Sequence, residues 1–223
     1  MQKNISPLTA LRFRDFRYLW MGLLASRIGA EMQVVAVSWQ IYLLTNSPLS
    51  LGFIGLARFL PLIFVSLIGG ILADIFDRRK LMLVAQFFMT VFSFLLALAT
   101  FSNHISPNLV YFLIAGSSAA LALDTPARQS IVPTLVPKKY FINAVSLNIM
   151  IWHTAVVLGP SLAGFLIAFW GVGNVYLIDT FAFLLVILGL LLISPQKKAS
   201  PCEHRNGVPP DPCPYGVSSE QRS

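Results

Sequence analysis

Residues 18–44 read YLWMGLLASRIGAEMQVVAVSWQIYLL. An apolar run of this length is sufficient to cross the hydrocarbon core of a bilayer, which takes about 20 mostly apolar residues of α-helix. It is too long for the apolar region of a signal peptide and lacks a small-residue cleavage site, so it reads as a retained first span. The pattern then repeats. Leu49 to Ala73, Leu81 to Phe101, Leu109 to Val132, Ile142 to Phe169 and Val175 to Ile193 each qualify by the same criterion, and with Tyr18 to Leu44 they predict six spans. Of the 223 residues 56% are hydrophobic and 11% charged, against about 25% charged in an ordinary soluble domain. The predicted fold class is therefore all-α, a polytopic membrane protein.

The net charge of +7 and pI of 9.7 do not imply nucleic acid, because the basic residues lie between apolar runs instead of on one face of a soluble fold. Three connectors, Thr45 to Pro48, Ser102 to Asn108 and Trp170 to Asn174, contain no Lys or Arg. Eleven basic residues sit on the other side: Lys3, Arg12, Arg14, Arg17, Arg78, Arg79, Lys80, Lys138, Lys139, Lys197 and Lys198. The positive-inside rule then places both termini in the cytoplasm; the expected location is the cell (inner) membrane, multi-pass. The predicted domains are a cytoplasmic N-terminal segment 1–17, a six-helix transmembrane domain 18–194 and a tail 195–223. Pro201, Pro209, Pro210, Pro212 and Pro214 interrupt that tail, which is too polar to build a core and is expected to be disordered. Cys202 and Cys213 lie within it; with His204 they match no zinc spacing, so no metal site and no cofactor are expected.

Ionisable groups inside a membrane cost about 3 kcal/mol or more each and usually pair or face a polar cavity. At a rise of about 1.5 Å per residue from the cytoplasmic end, Arg27 lies roughly 15 Å deep, Glu31 roughly 21 Å and Arg58 of the second helix roughly 22 Å. Glu31 and Arg58 are thus expected at one level. Asp124, roughly 12 Å deep, and Arg128, roughly 6 Å deep, stand four residues apart with the acid first, the better order for a helical pair. Arg27 and Glu31 have the same spacing. Two helices are therefore expected to present opposite charges inward, as a polar pathway requires; the alternative is a set of ion pairs that only fix helix register. His153 reads as a hydrogen-bonded packing histidine, and Asp179 as a group near the outer end of the sixth helix that reaches interfacial water.

Gly70, Ile71, Leu72, Ala73, Asp74, Ile75, Phe76, Asp77, Arg78, Arg79 and Lys80 form the connector after the second helix. It resembles the cytoplasmic signature of the major facilitator superfamily between helices 2 and 3, GxLaDrxGrkxxl, with Ile75 in place of a base and Asp77 in place of the second glycine. On the fifth helix Ala155, Gly159, Pro160, Ala163 and Gly164 resemble the antiporter pattern gxxxGPxxGG, with two alanines for glycines. Arg58 to Pro61, with Asp124, Pro126, Ala127 and Arg128, is similar to the subgroup of bacterial exporters that includes enterobactin exporter-like proteins. The resemblance covers residues 10–194 and implies half of a twelve-helix fold, six helices as two inverted three-helix repeats, with helices 1 and 4 lining a central cavity.

The function implied is the N-terminal half of a secondary-active, proton-coupled efflux transporter of small amphipathic solutes, of drug or siderophore class. Its transport and coupling residues would be Glu31, Arg27, Arg58, Asp124 and Arg128, with Gly70, Asp74, Asp77, Arg78 and Arg79 in the signature loop and Gly159, Pro160 and Gly164 on helix 5. No P-loop for ATP is present. The expected partners are the lipid bilayer, a small-molecule substrate and a second six-helix half, as a separate chain or a self-dimer; no nucleic acid is expected. A different class of reading is a truncated or split-gene membrane fragment without transport of its own, suggested by the abrupt change to a proline-rich tail. An intramembrane serine protease is disfavoured: Gly159, Pro160 and Ser161 give part of a nucleophile pattern, but His153 precedes them on the same helix and no base follows. Asp74 and Arg128 are expected to pair as a cytoplasmic latch.

Overall fold

The computed structural model describes residues 14–75, 77–131 and 141–192. Six helices follow one another: α1 (Arg14–Thr45), α2 (Pro48–Ile75), α3 (Arg78–Phe101), α4 (Pro107–Ile131), α5 (Phe141–Trp170) and α6 (Val172–Leu192). No strand occurs among the described residues. Helices are what a bilayer demands of an open chain, since every backbone amide must find its partner within the segment. Five of the six are long and apolar enough to cross a membrane. The other is α1, the longest at 32 residues, in which Arg27, Glu31, Gln33 and Gln40 lower the apolarity.

The turns are short and their residues suit them. Asn46, at φ 50°, and Gly171, at φ 80°, hold the left-handed conformation that ends a helix. Gly171 alone separates α5 from α6, so α6 begins at Val172, three residues before the expected Val175, and Asn174 belongs to its first turn. Pro48 and Pro107 open α2 and α4, where a missing amide hydrogen costs nothing. Residues 1–13, 132–140 and the tail from 193 lie outside the described residues, and with them Lys3, Arg12, Lys138, Lys139, Lys197, Lys198, Cys202, His204 and Cys213.

The main packed pairs are α2 with α4, α1 with α6, α3 with α4, α3 with α6, and α1 with α5. Exchanging α1 with α4, α2 with α5 and α3 with α6 leaves this set unchanged. Two three-helix repeats related by a two-fold axis give that result. Short turns make successive helices antiparallel, so α1 and α4 run in opposite directions and the repeats are inverted. Apolar clusters close the bundle towards both ends: Ile41, Ile54, Val110 and Tyr176 belong to one, and Leu23, Met82, Ala127 and Leu190 to the other. Polar groups occupy the zone between them.

Candidate functional site

Arg27, Glu31 and Val34 fall on one face of α1 by the i, i+4, i+7 rule, and that face forms one wall of a cavity of about 100 Å³. Arg58 enters from α2; α4 contributes Ile114, Ser117, Ser118 and Leu121, and Met89 of α3 and Phe183 of α6 complete the lining. The expected meeting of Glu31 and Arg58 is therefore realised as a shared cavity. It is not a closed ion pair: Glu31 acts electrostatically on both Arg27 and Arg58, and salt-bridge contact is reached with neither. The equally spaced Arg27 and Glu31 thus face a common space instead of each other. Arg58 Nε is buried without a hydrogen-bond partner among the described residues. A larger crevice of about 390 Å³ between α1, α5 and α6 is lined by apolar side chains and Gly29.

On α4 the predicted pair forms. Asp124 is fully buried, receives the Arg128 guanidinium, and accepts a hydrogen bond from Gln86 Nε2 of α3 at 2.9 Å. The Arg128 side chain is 14% exposed, and Arg27 lies within electrostatic reach of both members. Asp124 therefore turns towards α3 and ties it to α4, beside the cavity and not in its wall.

Asp179 departs from expectation. It does not reach interfacial water but is wholly buried, because α6 starts earlier than its apolar run suggests and turns residues 176, 179, 180 and 183 inward onto α1 and α3. Ser93 Oγ of α3 donates to its Oδ2 at 2.8 Å. Gln33 of α1, which also lines the cavity, donates to Ser93 at 3.4 Å. Further along, the Tyr176 hydroxyl donates to Gln40 Oε1 at 2.7 Å and Gln40 Nε2 to Thr100 at 3.0 Å. Gln33, Ser93 and Asp179 went unselected because a single glutamine, serine or end-of-span aspartate carries no spacing signal. The one available clue was an ionisable residue inside the sixth span.

On α5, Gly159 meets α1 at close quarters: a β-carbon there would stand 2.5 Å from Glu31 Cβ and 3.3 Å from the Ile28 carbonyl oxygen. Gly164 has open space around it and Pro160 is exposed. Ser161 Oγ donates to the Val157 carbonyl at 3.0 Å. His153 is not an interior hydrogen-bonded group; it is exposed on the outer side of α5, edge-on to Trp152 at 5.2 Å. In the signature loop, Asp77 caps α3 by accepting from Arg79 N at 3.2 Å. Arg79 Nη2 donates to the carbonyls of Leu190 at 2.7 Å and Leu191 at 3.3 Å, satisfying the end of α6. Gly70, Asp74 and Arg78 are placed only as helical positions, and the expected Asp74 to Arg128 latch lies outside the described residues.

A bundle of apolar helices in inverted repeats, with charges facing a cavity between α1, α2 and α4, defines the class of polytopic membrane transporters. The profile of the transmembrane secretion effector family matches residues 5–206, and the chain belongs to that family, a branch of the major facilitator superfamily. An uncharacterised transporter of this superfamily from Bacillus subtilis is 29% identical over 184 residues, 81% of this chain and 41% of that protein. The staphyloferrin A transporter of Staphylococcus aureus is 24% identical over 164 residues, 72% of this chain and 41% of its own. An enterobactin exporter of Citrobacter koseri is 28% identical over 196 residues, 85% and 46% respectively. The chain thus spans less than half the length of the curated relatives it matches. No solved structure matches it significantly.

Proposed function

We propose that the chain is the N-terminal half of a secondary-active, proton-coupled efflux transporter of small amphipathic solutes, of the drug or siderophore class, with both termini cytoplasmic. The observation that carries this reading is the convergence of Arg27, Glu31 and Arg58 on one cavity between α1, α2 and α4. An acid facing two bases across open space, free of a closed ion pair, is able to exchange a proton as its balance with the arginines changes. Its relatives are named as siderophore and macrolide transporters, which supports the solute class. Asp124 and Arg128 hold α4 in register beside this cavity and adjust the field at Arg27.

A second six-helix half completes the transporter. The span of α2 is 6% buried and that of α5 22%, against 50% for α3 and α6. These two are equivalents under the repeat exchange, and their uncovered apolar faces form the seat for the partner, whether a separate chain or a second copy. Alternating access requires one half to rock against another, so residues 1–223 as a monomer should not transport.

Reconstitution of purified residues 1–223 into proteoliposomes under an imposed pH gradient tests this reading. No efflux of an amphipathic dye is expected from monomers; efflux only by dimers supports the self-paired form, and efflux by a monomer defeats the half-transporter assignment. In whichever assembly transports, Glu31→Gln should remove the response to the pH gradient. A wild-type response in that variant takes Glu31 out of the mechanism.

A further inference from the structure

Asp179 and Asp124 are both 0% exposed, yet their surroundings differ. Asp124 has a guanidinium and an amide as donors. Asp179 has one side-chain partner, the neutral hydroxyl of Ser93. Its Oδ1 has no hydrogen-bond partner among the described residues and is pressed against α1, where a β-carbon on Gly29 would come within 2.7 Å of it. The charged and titratable groups of the neighbouring helices leave it without a counter-ion. Arg58 of α2 acts on it electrostatically but forms no salt bridge with it. From α1, Arg27 and Glu31 face the cavity, while Gly29 approaches Asp179 and Gln33 bonds Ser93. The charges of α3 are Arg78, Arg79 and Lys80 at its far end, and α5 has only the outward His153. Tyr176, one turn earlier on α6, gives its hydroxyl hydrogen to Gln40.

Ser93 has a single hydrogen to share. Its Oγ is 2.8 Å from Asp179 Oδ2, 3.1 Å from the Tyr176 carbonyl, which the Thr180 hydroxyl also bonds, and 3.4 Å from Gln33 Nε2. An ionised Asp179 would draw that hydrogen to itself and still leave a buried charge with one neutral donor and one bare oxygen. A carboxyl so placed gives up its charge instead of bearing the desolvation cost. With a proton on Oδ2 each hydrogen has a place. Asp179 donates to Ser93, Ser93 donates to the Tyr176 carbonyl, Gln33 donates to the remaining lone pair of Ser93, and Oδ1 is a neutral carbonyl oxygen.

We propose that Asp179 is a proton-binding site, neutral at physiological pH in this conformation, with Ser93 and Gln33 linking it to the wall of the Arg27, Glu31 and Arg58 cavity. It gives the coupling ion a second carboxyl besides Glu31, and in that role it rests on the transport reading; its occupancy does not.

Infrared difference spectroscopy on the purified 223-residue chain in lipid nanodiscs reads the carbonyl stretch of protonated carboxyl groups without any transport assay. At neutral pH the wild type should show such a band. Asp179→Asn should abolish it, whereas Glu31→Gln and Asp124→Asn should leave it in place. Ser93→Ala removes the acceptor and should move the band to higher frequency, which decides the matter if Asp179→Asn does not fold. Absence of the band in the wild type at neutral pH overturns the proposal, as does a band that Asp179→Asn retains or Ser93→Ala leaves unmoved. Because transport is not measured, the band decides this site alone: efflux by a monomer, or a wild-type pH response in Glu31→Gln, would count against the transporter reading and leave the site standing.

Discussion

Gly159 and Gly164 belong to one small-residue pattern on α5, yet only the first has a reason to be glycine in this bundle. A β-carbon at 159 would fall 2.5 Å from Glu31 Cβ, with the α1 backbone just behind it, so helix α5 would have to move away. Gly159→Ala should therefore cost about 1–3 kcal/mol as overpacking and loosen the wall that orients Glu31. Gly164 meets nothing within 4 Å, so Gly164→Ala should gain up to about 1 kcal/mol from reduced backbone freedom. Melting temperatures of the two variants in the same detergent should move in opposite directions. The sequence pattern treats the two positions as alike; only the approach of α1 to α5 separates them.

At the scale of the element, the basic loop between α2 and α3 acts as a pair of caps. Asp77, which departs from the superfamily signature by replacing a glycine, supplies the acceptor for the first turn of α3. Arg79 in that turn closes the carbonyl end of α6, where a cation also complements the helix dipole. Asp77→Ala should remove about 1 kcal/mol of cap energy, and hydrogen exchange of the amides of residues 79–81 should rise by about fivefold, the equivalent of that energy. The helices themselves are legible in the sequence: all six expected segments are helical, with ends displaced by a few residues, and five of them qualify as membrane spans. The three-residue displacement at the start of α6 had consequences, because it led Asp179 to be read as a group at the water interface.

At the scale of the whole molecule, the repeat exchange makes α2 and α5 equivalent, and both are left uncovered. Leu67 of α2 and Val157 of α5 are 70% and 67% exposed, as is Phe112 of α4 at 70%. If α2 and α5 seat a second half, single cysteines at 67 and 157, in a background with Cys202 and Cys213 replaced by Ser, should be shielded from a lipid-soluble thiol reagent in the transporting assembly. A cysteine at 112, outside that seat, should react in both the assembly and the monomer. Equal labelling of all three positions would show that lipid, and not protein, covers α2 and α5.

The sequence by itself determined the helices, their number, the membrane as their solvent, and the Asp124 to Arg128 pair, because each depends on residues close together in the chain: an apolar length or an i,i+4 spacing. It also gave depth, since position along a helix is a count of residues, and so it placed Glu31 and Arg58 at one level. Only the tertiary structure decided which groups at a level touch. Rotation of a helix about its axis, and its distance from a neighbour, are fixed by packing between distant segments. That is why Glu31 and Arg58 share a cavity without pairing, why Gly159 abuts Glu31, and why Asp179 is enclosed with Ser93 and Gln33.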